Sequence, residues 1–254
     1  MTTPSLQIRP PALLGRLAAI LVCSAAAADV PETVTMRWHA AGDPAGPINV
    51  NLADVGDWAE MDDGGVVYTG ALFSDTWQLS WTTTVHDGPA PSLESLLTVT
   101  NHSDDDRWFT TGTTWESPQS EVGQRMVDLA SSVTLMNLDF AGDATLQSAP
   151  DEALIGGYLS DQQIASIFAP IYTLHATGPF AVAIDTASSS ASGSMEPGGS
   201  MGYWSGFLLS GGDTVTFSTT MSAAAIPAPG ALGLLLIAAA RGRGRRRGTR
   251  RCLS

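Results

Sequence analysis

Apolar and polar residues alternate with a period of two along much of the stretch between residues 76 and 221. That is the spacing of strands that bury one face and wet the other. In residues 76–85 (TWQLSWTTTV) the alternation puts Trp77, Leu79, Trp81, Thr83 and Val85 on one face. Asp87-Gly88-Pro89 then breaks the chain, and residues 93–100 resume as a strand. Residues 101–106 form a polar turn and residues 108–115 (WFTTGTTW) return, which predicts an antiparallel hairpin. The next long strand is predicted over residues 127–138, with shorter strands over 151–158 and 170–175. Residues 161–168 (DQQIASIF) have helical spacing behind Ser160 or Asp161 as an N-cap, predicting a short helix. Residues 180–186 read as a strand and the Ser/Gly/Pro-rich residues 187–199 as a loop. Residues 200–209 and 214–221 predict a closing hairpin around residues 210–213. Fixed-period repeats are absent, which disfavours a solenoid or propeller. The expected fold is an all-β antiparallel β-sandwich of jelly-roll or Ig-like type.

The two ends depart from this pattern. Arg9 and Arg16 precede the apolar run LAAILV (residues 17–22) and an Ala-rich exit. Ala26 and Ala28 supply the small-x-small motif of signal cleavage, predicting a signal helix over residues 1–28. Cys23 follows Val22, where lipoprotein processing wants a small residue. At the other end, Pro227-Ala228-Pro229-Gly230 precedes an uncharged apolar run (231–240) and a block of seven arginines in the last 14 residues, Arg245, Arg246 and Arg247 among them. Residues 223–240 make an 18-residue apolar stretch, just within the length that spans a bilayer. The arginines would then lie on the cytoplasmic side. The domains expected are a signal peptide (1–28), a sandwich body (29–222) and a tail (223–254) carrying a short hydrophobic helix.

Charge sharpens this division. The chain has no Lys, and only Arg37, Arg107 and Arg125 fall in the body, against all 25 acidic residues: a formal body charge of −22. Such a surface repels phosphate backbones, which excludes nucleic acid as a natural partner. Both cysteines, Cys23 and Cys252, lie in the end segments, so the body has neither a disulfide framework nor a Cys-based metal site.

Pro-x-Pro, a short apolar helix and a terminal Arg cluster, in that order, resemble the PEP-CTERM sorting signal of exported proteins. Pro227, Ala228 and Pro229 match its motif in the planctomycete-type variant, with Ala228 where the usual Glu stands. The resemblance implies an exosortase and the export machinery as partners. It also implies transient inner-membrane anchoring through the C-terminal helix, and residence in the cell envelope, at the outer surface or in the extracellular matrix, near exopolysaccharide. The body carries turns similar to those of other proteins with such tails, in residues 97–101, 139–146 and 209–217, which imply only a sandwich.

Chemistry within the body is less pointed. Asp139 and Asp143 come nearest to a calcium-loop pattern, although Ala141 stands between them and Asp-Gly pairs also serve plain turn geometry. No other cofactor is suggested. The four histidines have no metal-ligand spacing, and neither Gly-x-Ser-x-Gly nor a body Cys offers a nucleophile, so no catalytic residue is assigned. Trp77, Trp81 and Trp108 suit either a sugar-stacking row on one sheet face or the core. The expected function is that of a non-enzymatic exported envelope or matrix protein. The alternatives are a glycan-binding module, with or without calcium, and a secreted glycan hydrolase.

Intact mass of the protein from its native cells tests the ends: the mature chain is expected to begin at Asp29 and to stop close to Pro227. A chain still ending at Ser254 would rule out processing of the tail.

Overall fold

A computed structural model of the chain describes residues 33–116, 122–140 and 142–226. The signal segment with Ala26 and Ala28, and the tail with Pro227, Ala228, Pro229, Arg245, Arg246 and Arg247, lie outside the described residues. Among the described residues no helix is long and apolar enough to cross a membrane.

Among the described residues fifteen strands form two sheets in which every pairing is antiparallel. They are β1 (Val34–Ala40), β2 (Ile48–Asn51), β3 (Asp57–Glu60), β4 (Val66–Phe73), β5 (Trp77–His86), β6 (Ser92–Asn101), β7 (Arg107–Glu116), β8 (Gly123–Met136), β9 (Asp143–Ser148), β10 (Ile155–Leu159), β11 (Gln162–Ile167), β12 (Thr173–Thr177), β13 (Val182–Met195), β14 (Ser200–Leu209) and β15 (Thr214–Ala225). One helical turn, α1 (Leu52–Val55), follows β2 and is capped by Asn51, whose Oδ1 accepts from the Ala53 N–H at 3.0 Å. The first sheet runs β11-β10-β14-β7-β1-β2, with β9 on β14 and β12 on β9. The second runs β13-β8-β15-β6-β5-β4-β3. The all-β antiparallel sandwich is therefore the fold of the body.

Alternation decides which residues enter the core. In β5, Trp77, Leu79, Trp81, Thr83 and Val85 all face inward, as do every second residue of β8 and most of β15. Aromatic rings join the layers: Trp77 packs on Trp38 (5.2 Å between centroids), Trp38 on Phe109 (5.3 Å), Phe109 on Phe207 (5.7 Å) and Phe207 on Phe217 (5.0 Å). Beside this chain lies a buried layer of hydroxyls that satisfy one another. Thr83 pairs with Ser95 at 3.0 Å and Ser131 with Thr219 at 2.9 Å, while Thr113 donates to the Tyr203 hydroxyl at 3.2 Å.

Several connections differ from the sequence expectation. Residues 93–100 and 108–115 do form strands, but β6 pairs with β5 and β15 while β7 pairs with β1 and β14, so no hairpin joins them. The turn between them crosses from one layer to the other. β14 and β15 likewise belong to different sheets, and residues 210–213 are a second crossing rather than a hairpin turn. The reason is visible in two buried asparagines. Asn101 at the end of β6 donates to the carbonyls of Asp105, Leu209 and Ser210, at 2.9, 3.1 and 3.1 Å, which ties the first crossing to the second. Asn137, just past β8, donates to the Gly142 and Gly178 carbonyls at 2.9 and 3.0 Å and holds a third crossing, from β8 to β9. Asp213 packs into the same end. It accepts from Ser210 Oγ and from the Leu138 N–H, and burial pushes its carboxyl above the usual range.

Two further expectations are corrected. Residues 162–167 form strand β11, not a helix, because Ser160 (φ 45°) and Asp161 (φ 66°) make a two-residue turn that folds β11 back onto β10. Residues 187–195, expected as loop, continue β13 in unbroken register with all of β8. Small Ser and Ala side chains serve there because β13 is an edge strand, with half its side chains in solvent and little inter-sheet volume to fill.

Replacing Phe207 with Ala removes the ring that touches both Phe109 and Phe217. It is expected to cost about 3–5 kcal/mol of stability in urea unfolding, as large-to-small core changes do.

Candidate functional site

The three tryptophans suggested for sugar stacking do not share a face. Trp77 and Trp81 are 0% and 3% exposed and belong to the core, so neither can meet a ligand. The same period that aligns them aligns them with Leu79 and Val85, and that face is the buried one. Trp77 donates its indole N–H to Asp43 Oδ2 at 2.5 Å, and the Trp81 ring fills the space that a Cβ at Gly70 would need. Trp108 is half-buried on the outer side of the first sheet, where it is paired with Leu208.

Asp139 and Asp143 are exposed and each serves local structure. The carboxylate of Asp139 sits beside Gly212, and its N–H donates to Asn137 Oδ1 at 2.8 Å. Asp143 Oδ1 accepts from the Gly178 N–H at 2.9 Å. Among the described residues no three His, Cys, Asp or Glu side chains gather as a metal would need. Asp63 also does turn work, accepting from the Gly65 N–H at 3.1 Å, with His86 Nδ1 3.8 Å from the same carboxylate oxygen.

A different site emerges on the outer face of the first sheet. The strand register sets Asn49, Arg37, Gly112, Trp204 and Gly156 in one row across β2, β1, β7, β14 and β10. The next row holds Thr35, Thr114, Gly202 and Tyr158. Where glycine stands in these rows no side chain rises from the sheet, and a groove of about 430 Å³ opens over its backbone. Trp204 occupies the space above Gly112: a Cβ there would fall 2.6 Å from the indole Cε3, so only glycine lets the ring lie down on the sheet. From the other side Arg37 reaches the same ring, with its guanidinium carbon 5.7 Å from the indole centroid.

The walls are polar. Thr35, Thr114, Asn49 and Ser200 contribute hydroxyls and an amide, and the turn between β10 and β11 projects Asp161 into the groove. Beyond Trp204 and Tyr158, which line both spaces, a second recess of about 330 Å³ carries Asp151, Glu152 and Gln163. Burial and the nearby Glu152 charge push the Tyr158 hydroxyl above its ordinary value, so it remains a neutral donor at physiological pH. The result is a flat aromatic floor ringed by hydrogen-bonding groups, with one cation at one end and acids at the other. Such an arrangement suits a ligand that is flat and apolar on its faces and polar around its rim.

Nothing in the sequence reading selected Trp204, Arg37 or Tyr158 for this site. The usable signal was Gly202-x-Trp204-x-Gly206: glycines two residues either side of a strand Trp share its face and leave it unflanked. The Gly112 gap on the neighbouring strand needs the register, and local sequence does not supply that.

Fold and groove together define a two-sheet antiparallel sandwich with an aromatic cleft on one outer face. No protein-family model matches the chain, and no curated protein is significantly similar to it.

Replacing Gly112 with Ala is expected to lift the Trp204 ring off the sheet. The indole N–H resonance of Trp204, assigned by its loss in Trp204→Phe, should shift while those of the buried Trp77 and Trp115 stay in place.

Proposed function

We propose that this chain is an exported, non-enzymatic envelope or matrix protein, delivered by its N-terminal signal and PEP-CTERM-like tail, whose sandwich binds carbohydrate in the groove over Trp204. The observation that carries the reading is the indole packed into the space above Gly112, with Arg37 near it and Tyr158 and Asn49 flanking. A pyranose presents C–H groups on its faces and hydroxyls around its edge. The indole face takes the first, and the Asn49 amide, the Asp161 carboxylate and the threonine hydroxyls take the second. The arrangement favours binding over hydrolysis. Hydrolysis needs two carboxyl groups facing each other across the scissile bond, one of them with raised proton affinity. Among the described residues, Asp213 is a carboxyl whose proton affinity burial raises, and it follows the far end of β14, committed to Ser210 and Leu138.

The acidic body fits the same reading. At −22 it stays soluble and self-repelling at high local concentration, which suits a protein spread through a hydrated polysaccharide.

Affinity electrophoresis in gels containing soluble xylan, β-glucan or galactomannan tests the proposal. The body is expected to be retarded by at least one polymer, and Trp204→Ala to weaken that binding about tenfold or more, the loss of a central aromatic anchor. Migration of the wild-type body unaffected by every polymer would overturn the reading.

A further inference from the structure

We propose that the groove selects a glycan bearing an isolated carboxylate, one uronic acid flanked by neutral sugars, and that Arg37 is the residue that recognises it. This rests on the carbohydrate reading of the groove and names the chemistry of its ligand.

The argument starts from the three arginines of the body. Arg125 is buried and donates to the Pro89 and Ala223 carbonyls at 3.1 and 3.3 Å. Arg107 donates to Thr76 Oγ1 at 2.6 Å, bracing the start of β7. Both are structural. Arg37 is exposed on β1, with its guanidinium carbon 5.7 Å from the centroid of the Trp204 ring. Among the described residues no carboxylate stands within ion-pair distance of Arg37. In a body with 25 acidic residues, a cation left without an acid and turned into a groove is conspicuous. The ring contact holds the guanidinium beside the groove, and its planar N–H fork matches a carboxylate through two parallel hydrogen bonds. Asn49 is register-paired with Arg37 on β2 and adds an amide donor at the same end.

The remaining charges limit the ligand to one anion at a time. Asp161 lines the groove beyond Arg37, and Asp151 and Glu152 line the recess that continues it. A second carboxylate on an adjacent sugar would lie among these acids, and the field of the whole body repels polyanions. A contiguous polyuronate is therefore disfavoured. A mostly neutral chain with a single uronate lays its charge at Arg37 and its hydroxyls along the acids, which accept hydrogen bonds from them.

Calorimetric titration separates these possibilities with three probes. They are a xylo-oligosaccharide carrying one glucuronic acid, the same oligosaccharide after carboxyl reduction, and trigalacturonate. The wild-type body is expected to prefer the acid over the reduced form by about tenfold or more, the scale of a charge-assisted pair. It is also expected to bind trigalacturonate more weakly than the single-uronate probe. In Arg37→Gln the ratio between acid and reduced forms should fall towards one, with circular dichroism and melting confirming the fold; in Arg37→Lys it should be only partly kept. Equal wild-type affinity for the acid and reduced forms would overturn the inference and leave the carbohydrate reading standing, as would a ratio that survives Arg37→Gln or a preference for trigalacturonate. Absence of binding to all three probes, with Trp204→Ala no different from wild type, would overturn both.

Discussion

The chain of rings from Trp77 through Trp38, Phe109 and Phe207 to Phe217 fixes how the two sheets sit on each other. It starts in the second sheet, passes through three adjacent strands of the first and returns to the second. Because each ring is fully buried and in contact with the next, neither sheet can slide or rotate without breaking the packing of all five. The register of β1, β7 and β14 follows from it. So does the outer groove, since the residues facing away from those inward rings are Arg37, Gly112 and Trp204. Site and core are opposite sides of the same three strands.

Much of this was legible from alternation alone. β5, β6, β7, β8, β14 and β15 were expected close to where they lie, because each buries alternate residues and a period of two needs no neighbour to be read. Connectivity was less legible. A polar turn between two strands looks the same whether the strands pair or part, and the deciding contacts are Asn101 to Leu209 and Ser210, more than a hundred residues away in sequence. The helix expected at 161–168 failed for a local reason: Ile164, Ile167 and Phe168 have helical spacing, but the left-handed turn at Ser160 and Asp161 sends the chain back as a strand. The start of the body, from β1 to β4, gave no reading at all, although β1 contributes both Trp38 to the core and Arg37 to the groove.

The candidate site was the least legible part. Choosing tryptophans by alternation picks those that share the face of Leu and Val, and that face is the core. Trp204 breaks the expectation because its neighbours on the same face are glycines, and an aromatic side chain among glycines has no core to join. The charge pattern held a comparable clue in the scarcity of arginine. With three in the whole body, each has a task that local structure reveals, and only the one at β1 faces solvent beside an aromatic ring.

The positions of the last two strands have a further consequence. β14 lies inside the first sheet, between β7 on one side and β10 and β9 on the other, and β15 lies inside the second, between β6 and β8. Until the residues up to Ala225 are available, the first sheet is three separate pieces and the second is two, all with open edges, and the ring chain lacks Phe207 and Phe217. The body therefore cannot close as it is synthesised; it closes only when its end arrives. Such long-range closure makes for slow folding. A chain built this way completes its core only once its last two strands have been made.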